Sequence, residues 1–264
     1  MNLFLHIPKS AGSTLRYIIK EKYPHSFGVV NWHWTNWKDE IYLKNNYDFN
    51  KLSQNKIIYG HFNYGLHEHI NEEVKYFTIL RDPFKRVQSG YFHILRDSHS
   101  AFYREIKNMS FEEYLKSKLI LDVDNGQVRR ISGVGNEVPF GEITEIHYEK
   151  AIQNIEKHFL FVGLTENFNA SLFLLSKLMN WKSPYYWTQN KGKNKKAELI
   201  NPVDQQLVKD INQWDYKLYD YCRNKLDSQL SETDFDEQRF QFRNKLYNIS
   251  LFPTKVLKKI KSKL

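Results

Sequence analysis

The sequence predicts an α/β fold: a central, mainly parallel sheet flanked by helices, with a helical segment toward the C-terminus. Three observations point there. Short apolar runs rich in β-branched and aromatic residues recur at 3–7, 56–59, 76–80 and 159–163, and helical patterns separate several of them. The first run passes through a small-residue loop directly into a helix. Strands this uniformly apolar belong in a parallel sheet covered on both faces.

Helices are predicted at 13–22, 83–96, 111–118, 145–157, 170–180 and 204–225. Asp82 ahead of Pro83 is a helix start, a carboxylate at the cap and proline at the first helical position. Thr144 is a similar cap, with His147 where a glutamate would complete the pattern. Residues 32–55 are aromatic and charged without a clear period, as in an excursion over the sheet. Trp32, Trp34 and Trp37 within it read either as core or as stacking surfaces for sugar rings. Residues 133–141 read as a loop. The chain divides into a main domain at 1–230 and a polar, then basic tail at 231–264. The amphipathic end, 255–264, reads as a peripheral contact to an anionic membrane or a partner, or as a solvated, frayed terminus.

At 264 residues with 41% hydrophobic and 16% aromatic side chains, a substantial core can form. The net charge of +9 favours polyanionic partners, or reflects a basic, Lys/Asn-rich proteome. The single cysteine, Cys222, rules out an intramolecular disulfide. The first strand begins almost at Met1, which leaves no room for a signal peptide, and no run of about 18 apolar residues occurs. The expectation is a soluble, cytoplasmic protein.

Pro8-Lys9-Ser10-Ala11-Gly12-Ser13-Thr14 joins the first strand to its helix. Backbone N–H groups at a helix start converge on one spot, and the helix dipole adds positive charge there. Small side chains let a phosphate approach, and Lys9 adds a full charge. The lysine precedes the glycine and no second glycine follows, so the order is not that of a Walker loop. The segment reads as an anion site or as a tight connection only. A second block, Leu80-Arg81-Asp82-Pro83-Phe84-Lys85-Arg86-Val87-Gln88-Ser89-Gly90-Tyr91, places an arginine at a strand end and a hydroxyl two helical turns on. An arginine fork and a serine can clamp a phosphate at the edge where open α/β sheets bind ligands. Alone, the block also fits a plain strand–turn–helix corner.

Together the blocks resemble those of carbohydrate sulfotransferases that use 3′-phosphoadenosine-5′-phosphosulfate (PAPS), the heparan/chondroitin-type, sulfotransferase family 2-like group. That group writes H-I-P-K-S/T-A/G-G-S/T-S/T and R-D/N-P-x-x-R-x-x-S-x-Y/F. The resemblance spans about residues 1–200 and implies a P-loop-like three-layer fold. It implies PAPS as donor, 3′,5′-ADP as product, and no metal. Lys9, Ser10, Ala11, Gly12, Ser13 and Thr14 would hold the 5′-phosphosulfate, with Arg81 and Ser89 on the 3′-phosphate. Asp82, Pro83 and Arg86 read as structural, through capping and ion pairing.

Sulfuryl transfer needs an in-line acceptor, charge relief on the leaving phosphate and removal of the acceptor proton. Lys9 fits the second task, and a histidine fits the third. Gly60-His61-Phe62-Asn63-Tyr64-Gly65 resembles the family segment that carries its base, which points to His61. His67 and His69 are further candidates, and His6 reads as ordering the loop. The uronyl 2-O-branch has His-x-His here, whereas this chain has Tyr59 in the first position. Asn125-Gly126-Gln127-Val128-Arg129-Arg130 resembles another family segment, so Gln127, Arg129 and Arg130 read as substrate or cofactor contacts, or equally as a buried polar network. Residues 162–166 and the helix after them resemble family scaffold. The basic stretch 189–196 reads as a loop closing over cofactor or glycan, or as a solvated charge run.

The resulting expectation is an enzyme moving a sulfuryl group from PAPS to a hydroxyl of a glycan or glycolipid, with no nucleic-acid partner. The alternatives are a non-catalytic nucleotide- or glycan-binding protein and an ATP-dependent P-loop kinase.

Overall fold

A computed structural model of the chain describes residues 1–31, 47–187 and 201–261. Its strands are β1 Asn2–Leu5, β2 Phe27–Asn31, β3 Ile57–His61, β4 Lys75–Leu80 and β5 Phe159–Leu164. They form one sheet in the order β2-β3-β1-β4-β5. Every pairing is parallel, with Leu3 opposite Ile58 on one side and Tyr76 on the other. Leu3, Phe4 and Leu5 have no exposed surface although successive side chains point to opposite faces, so both faces are covered. Phe4 stacks on Phe77 across β1 and β4 at 5.0 Å.

The sheet is the expected one with a fifth strand added. β2 falls at 27–31, where the sequence reading has none. It is short, contains Gly28 and lies on the edge, so its apolar signal is weak.

The helices are α1 Gly12–Lys22, α2 Phe49–Ser53, α3 Pro83–Arg96, α4 Tyr103–Ile106, α5 Phe111–Lys116, α6 Gly126–Ser132, α7 Glu145–His158, α8 Phe168–Leu178, α9 Pro202–Ile211, α10 Gln213–Ser231 and α11 Glu237–Lys261. α3 starts as its sequence dictates, with the Asp82 carboxylate accepting from the Lys85 N–H at 2.9 Å. At α7 the Thr144 N–H donates to His147 Nδ1 at 3.0 Å, so the imidazole does the work of the missing glutamate. The single helix expected at 204–225 is instead two, α9 and α10, parted at Asn212. The Asn125 side-chain carbonyl accepts from the N–H groups of Trp214 and Asp215, both at 3.0 Å, and so caps the new helix from far away in sequence. α6 was legible only as a motif.

A second apolar cluster, separate from the sheet, includes Val87, Tyr91 and Ile94 of α3, Phe111 and Tyr114 of α5, and Val208 of α9. It fixes residues 97–123 against the outer side of α3. The segment read as a tail carries α11, whose Phe240 is buried and whose Asn244 and Asn248 bond the backbone of Tyr186 at 2.7 and 3.0 Å. Among the described residues no helix is long and apolar enough to cross a membrane. Trp32, Trp34, Trp37, the stretch 189–196 and the side chains of 255–264 lie outside the described residues.

Candidate active site

The turn from β1 to α1 is an unusual helix start. Lys9 and Ala11 are both left-handed, with φ of 68° and 55°, a conformation that costs a non-glycine residue roughly 1–2 kcal/mol. Ala11 stands at the cap position yet brings no side-chain acceptor, and the first turn holds no acidic residue. The dipole end is therefore open to an external anion. The His6 imidazole lies against the turn: a Cβ on Gly12 would come within 1.6 Å of its Nε2, so only glycine fits there. His6 thus shapes the loop from within the sheet. Ser10 is buried, and its hydroxyl has no hydrogen-bond partner among the described residues.

Arg81 reaches this turn directly. Its Nη1 donates to the Lys9 carbonyl at 2.9 Å, while its buried Nε has no partner among the described residues. The Gln127 amide fixes the strand end beneath it, accepting from the Arg81 N–H at 2.9 Å and donating to the Arg81 carbonyl at 3.0 Å. Burial, then the charges of Arg96 and Arg81, lower the Lys9 ammonium to a pKa of about 8. Ser89 is half-buried on α3, two turns beyond Asp82. Lys85 is exposed and lies 4.0 Å from Glu166.

His61 closes β3 beside the same turn. Its ring lies 4.2 Å from that of His6, and Nδ1 is 3.1 Å from the His6 carbonyl. A carbonyl only accepts, so Nδ1 carries the proton and Nε2 keeps the lone pair. Burial first, then the Arg130 charge, lower its pKa to about 4, and the ring is neutral at pH 7. The Tyr64 N–H donates to the Arg130 carbonyl at 2.8 Å, which pins the segment after His61 to α6. Tyr59 shares a 2.6 Å hydrogen bond with His6 Nδ1, and burial raises its hydroxyl to about 12. It is a support for His6. His67 is bonded to the Tyr76 hydroxyl at 2.9 Å, and His69 stacks on Phe49, so neither is engaged with the turn.

Behind these groups lies a network that sequence spacing does not show. Arg86 donates to Asp122 at 2.8 Å and to the fully buried Asp215 at 3.4 Å. Arg130 donates to the other oxygen of Asp122 at 3.2 Å. Burial pushes the Asp122 carboxyl up, but Arg86 and Arg130 outweigh it and hold the group low. Asp215 also accepts from the N–H groups of Gln127 and Val128 at the start of α6. Arg129 donates to Asp124 and to the carbonyls of Gly135, Val138 and Pro139. Gln127 and Arg129 are thus engaged inside the protein, as in the buried-network alternative. Asp122 and Asp215 carried no role in the sequence reading. Asp215 has no local signature, because its partners lie more than 80 residues away.

One site therefore joins an open helix end, a lysine and an arginine. These groups suit an anionic ligand.

The chain matches the model of the Sulfotransferase family (Sulfotransfer_2) over residues 3–222. It is 26% identical over 197 residues to heparan-sulfate 6-O-sulfotransferase 2 of Danio rerio, covering 63% of this chain and 39% of that protein. To the Gallus gallus protein of the same name it is 27% identical over 178 residues, covering 56% and 43%. The chain thus spans about two fifths of the length of the curated relatives it matches. A crystal structure of a sulfotransferase from Alicyclobacillus acidocaldarius superposes with a TM-score of 0.44 at 12% identity, covering 83% of this chain and 95% of that one. With the family match running from the first strand into α10, the chain belongs to the sulfotransferase family.

Proposed function

We propose that the chain transfers a sulfuryl group from PAPS to a hydroxyl of a carbohydrate acceptor. The reading rests on the 2.9 Å bond from Arg81 to the Lys9 carbonyl, which makes the loop and the arginine–serine block two walls of one site. Bound there, PAPS supplies the sulfuryl group: the acceptor oxygen bonds sulfur as the bond from sulfur to the phosphate oxygen breaks, and 3′,5′-ADP leaves.

Each residue then has a task. N–H groups of the loop and α1, with the Ser10, Ser13 and Thr14 hydroxyls, hold the 5′ end, and Lys9 offsets the charge growing on the leaving phosphate. Arg81 and Ser89 hold the 3′-phosphate. His61 Nε2 takes the acceptor proton. At about 4 the imidazole is a weak base; bound anions that offset the Arg130 charge raise it, against the burial that lowers it most. The chemistry calls for no metal. The relatives act by name on heparan sulfate, which supports a carbohydrate acceptor class.

Transfer of labelled sulfate from PAPS to a glycan panel tests the proposal. His61→Gln is expected to lower transfer about 10²–10⁴-fold while 3′,5′-ADP binds as before. Undiminished transfer would remove His61 as the base. Stronger stabilisation by ATP–Mg²⁺ than by 3′,5′-ADP would replace the whole reading with a kinase.

A further inference from the structure

A cavity of about 600 Å³ opens from Pro8 and Lys9 and runs away from the turn. Sites that enclose small organic ligands have this size. One wall is the side of α3 with Val87, Gly90, His93 and Ile94; the other comes from residues 100–102 and 119–123.

Its charges are already used. Arg86 and Asp122 pair with each other at 2.8 Å, and Lys9 belongs to the donor end. Burial, then the Lys9 charge, lower the pKa of His93, which leaves that ring neutral at pH 7. Among the described lining residues, Lys9 is the one Lys or Arg that no carboxylate pairs, a poor supply for a sulfated or uronic chain. Recognition of such a chain requires Arg or Lys side chains aimed at its anions. The remaining surface is largely hydrocarbon, from Val87, Ile94, Ile120, Leu121 and Val123. Two further lining residues, Phe102 and Leu119, are 38% and 42% exposed.

We infer that this cavity receives an uncharged, apolar group attached to the acceptor sugar. The acceptor is then a glycoside with a hydrophobic aglycone, its reacting hydroxyl at the Lys9 end and its hydrocarbon against α3. The inference rests on the sulfotransferase reading of the adjoining site.

The test uses the full chain saturated with 3′,5′-ADP and a series of n-alkyl glucosides below their micelle concentrations. Binding is read by calorimetry, and labelled transfer from PAPS is compared with a heparan-type polysaccharide. Affinity is expected to rise about fourfold per methylene until the cavity is filled, with kcat/KM following. Phe102→Ser and Leu119→Asn, at partly exposed positions that tolerate polar groups, are expected to weaken the longest glucoside at least tenfold and leave 3′,5′-ADP affinity unchanged. Affinity independent of alkyl length, or a preference for the polysaccharide that both variants retain, would overturn the inference and leave the transferase reading intact. Failure of the unaltered chain to bind 3′,5′-ADP would overturn both.

Discussion

Arg81 and Arg86 stand five residues apart on one strand–helix unit, and the fold gives them opposite duties. Arg86 is 2% exposed, and both its terminal nitrogens are taken by Asp122 and Asp215. Arg81 is half-buried; among the described residues its one side-chain hydrogen bond goes to the Lys9 carbonyl and no carboxylate forms an ion pair with it. The type of side chain does not decide between scaffold and site. The carboxylates that reach it do.

The sharpest way to break this contrast is Arg86→Ala. Removing one partner of a buried ion pair strands the others, and the cost is about 3–5 kcal/mol. Denaturant unfolding is expected to show a loss of that size, and a loss below about 1 kcal/mol would show that Arg86 is not the keystone of the network. Arg81→Ala should do the reverse. Stability is expected to hold within about 1 kcal/mol, while 3′,5′-ADP affinity drops about 10- to 150-fold, the value of one hydrogen bond to a charged group. Calorimetry checks both halves; intact nucleotide affinity would return Arg81 to the scaffold.

A smaller effect follows from the turn itself. The Lys9 pKa of about 8 means its charge is lost as pH rises through that value in the free protein. A bound anion favours the charged form, so 3′,5′-ADP affinity is expected to be level below pH 8 and to fall above it, by up to tenfold per unit. Lys9→Met is expected to bind more weakly and to flatten the profile. The same slope in the variant would assign the titration to another group.

The comparison also explains what could be read in advance. The loop at 8–14 and the start of α3 were legible because short-range geometry makes them: a strand end, small residues and a proline after a capping aspartate. The helix at 204–225 was misjudged because its break is made by Asn125, nearly 90 residues away, while nothing local to Asn212 forbids continuation. β2 was missed because an edge strand with a glycine carries little periodic signal. The Asn125–Arg130 segment resembled a contact motif and also fitted a buried network. Only its packing against α10 places Gln127 under Arg81 and turns Arg129 inward.

By itself, then, the order of residues determined the parallel sheet and the small-residue turn into α1, because both follow from backbone geometry over a few residues, whereas His61 as candidate base came from resemblance to a family segment. Tertiary structure alone decided which arginines are spent and which are available, how Tyr59 serves His6, and that the space beside Lys9 is walled by hydrocarbon. Those outcomes depend on burial and on carboxylates and side chains that arrive from distant parts of the chain, and no local spacing encodes them.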